Sequence, residues 1–109
     1  MNTRIIYITT EDKKEAQKIG KVLVEERLAA CVNIIDGMES MFWWEGEAQS
    51  EFETILIAKT TSETVEKLTG RVKEVHSYDC PCVVALPIQG GNPDFISWIG
   101  EEVGNSKKQ

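Results

Sequence analysis

The side chains best able to gather a metal ion are Cys80 and Cys82, flanking Pro81, with His76 four positions before the first thiol. In an extended segment, residues two apart point the same way, so the thiols of Cys80 and Cys82 can converge on one ion. Thiolates with an imidazole suit Cu(I) or Zn(II). His76, Cys80 and Cys82 are therefore the candidate metal ligands, and Asp79 can add an oxygen. A purely structural reading competes with this one. Cys82 would then be a buried apolar residue opening a strand, and His76 a helix C-cap favoured by the helix dipole.

Other polar groups carry weaker signals. Cys31 has small apolar neighbours, which favour a core role over reactivity. Asn33 sits in an apolar strand, where a buried amide must be hydrogen-bonded, either tying a bulge at Asp36-Gly37 or lining a pocket. Glu39, Glu45, Glu47, Glu51 and Glu53 cluster on one stretch. Carboxylates there could ring a hard cation, but a solvated charged turn is the plainer account. Catalytic equipment is sparse. His76 could act as base to a thiol, but nothing in the spacing supplies a third, orienting group. Gly90-Gly91-Asn92 lacks the phosphate-loop fingerprint. Arg4 lies within the first strand, not in the phosphate-cradling loop that an acylphosphatase-like enzyme needs. The sequence does not read as an enzyme.

Composition narrows the class. A chain of 109 residues suits one domain, and 41% hydrophobic with 28% charged residues is ordinary for a globular protein. A net charge of −6, with no basic patch, argues against nucleic-acid binding. No apolar run approaches the roughly 20 residues a membrane helix needs. Three cysteines are too few for a disulfide framework and fit reduced thiols. Met1-Asn2-Thr3-Arg4-Ile5 runs straight into a strand pattern without the features of a secretory leader. The expected location is the cytoplasm.

The elements that must position these residues follow in order. Arg4 to Thr9 reads as a strand. Asp12 with Glu15 resembles a capping box, and Ala16, Ile19, Gly20 and Leu23 form the apolar stripe of a helix running to about Arg27. Ala29 to Ile35 is a second strand that bends at Asp36-Gly37 and resumes through Trp44. Glu45-Gly46 turns into a third strand, Glu51 to Lys59, making a long hairpin. Val65, Leu68, Val72 and Val75 mark a second helix capped by Thr61 or Ser62. Cys80 to Pro87 is the fourth strand. Asn92 and Pro93 open a short last helix carrying Phe95, Trp98, Ile99 and Val103. Gly104 ends it. Residues 1–104 are expected as a single domain and residues 105–109 as a flexible tail.

Strand, helix, strand, strand, helix, strand and a final helix is the split βαβ, or ferredoxin-like, α+β plan. Both long helices should lie on one face of an antiparallel sheet. Ile5 to Ile8, Ile55 to Ala58 and Val83 to Leu86 are apolar at successive positions, so both sheet faces call for cover. Met41-Phe42-Trp43-Trp44 likewise carries large apolar groups on both faces. One short third helix cannot cover a four-stranded sheet. The economical solution is a homo-oligomer, with the hairpin around Trp43 and Trp44 reaching across to another subunit. For that hairpin, one face should pack on the chain's own helices and the other on neighbouring subunits.

Several pieces together resemble the CutA family of divalent-cation tolerance proteins. They are Glu26-Arg27-Leu28-Ala29-Ala30-Cys31-Val32-Asn33, Phe42-Trp43-Trp44-Glu45-Gly46, Lys59-Thr60, His76-Ser77-Tyr78, Cys80-Pro81 and Phe95-Ile96-Ser97-Trp98-Ile99. Their order and spacing carry the resemblance over nearly the whole chain. It implies a ferredoxin-like homotrimer whose hairpins pair across subunits, and a role in tolerance to copper and other divalent cations, with metal binding. Positions where some members carry proposed ligands hold Ile8, Val75 and Cys82 here, so that ligand set does not carry over whole. The architecture also resembles trimeric PII signalling proteins. The alternative function is accordingly a trimeric PII-like signalling or scaffold module that binds a small molecule or protein partner in inter-subunit clefts.

Overall fold

Strand β1 (Thr3–Thr10) leads through helix α1 (Lys13–Glu25) to a hairpin of β2 (Cys31–Trp44) and β3 (Glu47–Thr61). Helix α2 (Val65–Val75), strand β4 (Val83–Pro87) and helix α3 (Pro93–Glu102) complete the chain. These elements come from a computed structural model describing residues 2–104, so the expected tail at 105–109 lies outside the described residues. The strands form one antiparallel sheet in the order β2-β3-β1-β4. That is the expected ferredoxin-like arrangement, with the first strand at the centre.

The core lies between the sheet and the two long helices. Ile6 and Ile8 of β1 pair with Ala58 and Leu56 of β3 and share a face with them. These four meet Ala16, Ile19 and Leu23 of α1 and Leu68 and Val72 of α2, all buried. Gly20 lets α1 sit close to the sheet. A Cβ at that position would fall 3.0 Å from Val32 Cγ2 and 3.4 Å from Leu56 Cδ1.

The start of α1 follows the sequence. Asp12 Oδ1 accepts from the Glu15 amide at 2.8 Å, and Glu15 Oε1 accepts from the Glu11 amide at 2.8 Å. The helix stops two residues earlier than expected. Arg27 takes a left-handed φ of 60°, while the amides of Leu28 and Ala29 both return to the Leu23 carbonyl. The expected cap of α2 is not made. A 3-10 turn over Ser62–Thr64 precedes the helix, and neither Thr61 nor Thr64 caps a backbone amide with its side chain. The two threonine hydroxyls bond to each other instead, at 2.8 Å.

The hairpin is longer than its sequence pattern. Trp44 pairs with Glu47, so β3 begins four residues before Glu51. Glu45 (φ 53°) and Gly46 (φ 81°) make the two-residue turn, with the positive φ values that match the twist of the flanking strands. The bulge falls between Ile35 and Met38. Asp36 fixes it, with Oδ1 accepting from the Gly37 amide at 2.8 Å and from Thr54 Oγ1 at 2.7 Å. Asn33 neither ties the bulge nor lies buried. It is exposed, and its side-chain oxygen accepts from Lys59 Nζ.

The hairpin end does not pack on the chain's own helices with either face. Met41, Trp43, Trp44 and Phe52 are 76%, 78%, 55% and 71% exposed. On the sheet, Ile35, Val84 and Leu86 are about half exposed, although α3 packs against β3 and β1. The apolar surface foreseen in the sequence is therefore present and uncovered within one chain.

Candidate functional site

The fourth strand starts at Val83, which leaves Cys80, Pro81 and Cys82 in the connection after α2. The connection bends over residues 77–80 and rejoins β1 at Cys82, whose carbonyl accepts from the Thr9 amide at 3.4 Å. Both cysteines are exposed, and both line a groove of about 580 Å³ between this loop and the hairpin. Phe42 and Trp44 form apolar parts of the wall, and Glu51, Glu53 and Asp79 supply carboxylates. No basic side chain lines it.

His76 is drawn away from the thiols. Its ring is fully enclosed, with Nε2 at 2.8 Å from the Thr9 carbonyl and Nδ1 accepting from the Tyr78 amide at 3.0 Å. A carbonyl can only accept and an amide N–H can only donate. The network therefore assigns the neutral tautomer, with its proton on Nε2. Both ring nitrogens are occupied by backbone groups, and no lone pair faces an ion. Among the described residues, no three or more His, Cys, Asp or Glu side chains are grouped to hold a metal. The structure does not group His76 with Cys80 and Cys82: the imidazole ties the loop to β1, while the two thiols line the groove.

Further contacts that sequence reasoning missed anchor the same loop. Glu15 Oε2 accepts from the Ser77 amide at 2.7 Å and lies 3.8 Å from His76 Nδ1. Burial works hardest on the Glu15 carboxyl and pushes its pKa up. The hydrogen bonds from Glu11 and Ser77 outweigh that and hold it below the ordinary value. Tyr78 donates its hydroxyl to Glu53 Oε2 at 2.8 Å. Burial first, then this bond, pushes the phenol pKa well above its usual range. The rings of His76 and Tyr78 lie 4.7 Å apart. Cys82 is exposed as a residue, yet partial enclosure of its sulfur raises the thiol pKa, and the Glu53 carboxylate raises it further. The His-Ser-Tyr run could have signalled such a loop, but its partners Glu15 and Glu53 lie too far away in sequence to be paired by pattern.

The family model described as CutA1 divalent ion tolerance protein matches residues 4–102. The chain belongs to this family. Its CutA1 relatives include the divalent-cation tolerance protein CutA of Thermus thermophilus, 45% identical over 100 residues, covering 92% of this chain and 97% of that one. The chloroplastic protein CutA 1 of Oryza sativa is 43% identical over 95 residues. That match covers 87% of this chain and 54% of the relative, so the chain spans about half the length of the plant protein. The solved structure of the Thermus thermophilus divalent cation tolerance protein superposes with a TM-score of 0.92 at 44% identity, covering 94% of this chain and 99% of that one. Among the described residues of this CutA1-family chain, no helix is long and apolar enough to cross a membrane.

Proposed function

We propose that the chain binds metal ions, copper among them, as part of divalent-cation tolerance, and that it works as a cytoplasmic homotrimer without catalysing a reaction. The carrying observation is the groove, whose lining includes two exposed thiols and three carboxylates and, among the described residues, no basic side chain to repel a cation, although no three of these groups come close enough together to hold an ion. Its fit to a metal is partial. One chain offers two thiolate donors and no free imidazole. The trimer is supported by the uncovered apolar surface, since a second and third copy would bury Ile35, Val84, Leu86 and the hairpin aromatics together.

A second reading rests on the same groove. Met41, Phe42 and Trp44 give it apolar walls that a bare ion does not need, which suits a small-molecule or partner site in a PII-like trimeric module. Metal titration of the reduced protein separates the two. Binding tighter than that of ordinary surface carboxylates supports the metal reading, and its absence favours the second. Light scattering should give three times the 12.3 kDa chain mass. Trp44→Glu should lower that value, and a trimer that survives the change would put the interface elsewhere.

A further inference from the structure

We infer that the groove between the hairpin and the loop before β4 takes a small organic ammonium ion whose apolar body lies along the hairpin aromatics. This rests on the second reading of the groove and names its ligand class. The strand register builds the floor. Met38 pairs with Glu53, Ser40 with Glu51 and Phe42 with Gln49. Side chains two apart on a strand share a face, so positions 40, 42 and 44 stand on the same side of the hairpin as positions 49, 51 and 53. All six line the groove. Trp43 and Phe52 fall on the other side, an apolar surface that subunit contacts can bury with the floor left open.

Charge is sorted along this floor. Glu51 and Glu53 lie toward the sheet, Phe42 and Trp44 lie toward the hairpin tip, and Asp79 adds a third carboxylate from the loop. A step of two residues along a strand is about 7 Å, so the acidic end and the aromatic end stand about one short alkyl chain apart. Among the described residues, no basic side chain lines the groove. Glu53 gives only Oε2 to the Tyr78 hydroxyl, so acceptor capacity remains for an ammonium N–H. Tyr78 feels the same field. Burial first, then the bond to Glu53, and after them the charges of Glu53 and Glu51 push its phenol pKa up. An anion would meet these carboxylates, and a bare metal ion would leave the rings of Phe42 and Trp44 unused. An organic cation uses both, because aromatic rings accept an apolar body and attract positive charge. The volume of about 580 Å³ lies in the range of small-molecule sites.

The test is calorimetric titration of the full chain at neutral pH with 4-phenylbutylammonium, 4-phenylbutanol and 4-phenylbutanoate. The three share one apolar body and differ in the charge at its end. The expected result is saturable binding of one ammonium per chain, weakening as salt rises. The alcohol should bind about tenfold more weakly, and the carboxylate more weakly still. Glu51→Gln with Glu53→Gln keeps side-chain size and an acceptor for Tyr78. That double variant should lose about 10–100-fold in affinity for the ammonium and nothing for the alcohol. Phe42→Leu should weaken both by about 2–10-fold. The three-probe comparison on wild type stands even where a variant fails to fold. An alcohol that binds as tightly as the ammonium, or a double variant that binds the ammonium like wild type, overturns the cation assignment and leaves the small-molecule reading in place. A fall in light-scattering mass as the ammonium binds makes a second copy the natural occupant, which also overturns the inference. No binding of any of the three removes both.

Discussion

Replacing His76 with alanine separates a ligand from a structural pin. The imidazole is fully enclosed, and its loss deletes the bond to the Thr9 carbonyl at 2.8 Å and the bond from the Tyr78 amide at 3.0 Å. Each buried backbone group left unpaired costs about 1–3 kcal/mol, and the vacated space adds a penalty unless water fills it. Water entering that space can satisfy one of the two groups, so the net loss is about 2–4 kcal/mol. Urea unfolding at one fixed protein concentration measures it, since any subunit association makes apparent stability depend on concentration. Metal affinity should fall by about 10–100-fold, the cost of losing support for ligands that are still present, and stoichiometry should not change. A variant as stable as wild type that has lost its ion would refute this reasoning and make His76 a ligand after all.

Two further substitutions probe the packing of the long helices, and a third probes the carboxylate that anchors the loop. Gly70→Ala, in an open stretch of α2 with nothing within 4 Å of the new methyl, should stabilise the chain by about 1 kcal/mol through helix propensity. Gly20→Ala should destabilise it, because the methyl meets Val32, which is stiff at χ1, and overpacking costs about 1–3 kcal/mol. Adding Val32→Ala should return part of the loss in urea unfolding, and a Gly20→Ala chain more stable than wild type would contradict the packing account. Glu15 gives the pH dependence. Its folded pKa lies below the ordinary 4.5, so its contribution is complete above that pH and is lost as pH falls through the folded pKa. Glu15→Gln should therefore unfold at lower urea than wild type at pH 7, with the difference shrinking by pH 3.

Much of this architecture is legible in the residues. Continuous β-branched apolar runs and helical spacing give the elements in order, and the Asp12–Glu15 spacing gives the start of α1. The bulge at Asp36-Gly37 is visible as a turn signal inside a strand. The early start of β3 is not, because Glu47, Gln49 and Glu51 alternate only with Ala48 and Ser50. A strand held by backbone pairing alone leaves no apolar stripe to read. The fourth strand is overread at Cys80 to Cys82 for the opposite reason: small apolar residues beside Val83 continue its pattern, while the backbone still bends at Cys80 and meets β1 only from Cys82 and Val83 onward. The role of His76 lies beyond any pattern. Which atoms its nitrogens meet depends on Thr9, 67 residues earlier in the chain.

The central position of β1 also bears on how the chain is made. Its first residues are synthesised before any strand they will pair with. Thr3 waits for Thr61, and Arg4 for Pro87. Until β3 is made, this interior strand therefore has two bare edges, and its pairings close over long stretches of sequence, the kind of topology that folds slowly. A nascent chain stalled before residue 83 would present one flank of Ile5 to Ile8 as an open template for any passing strand. The element most protected in the finished fold is the one most exposed to mispairing on the way there.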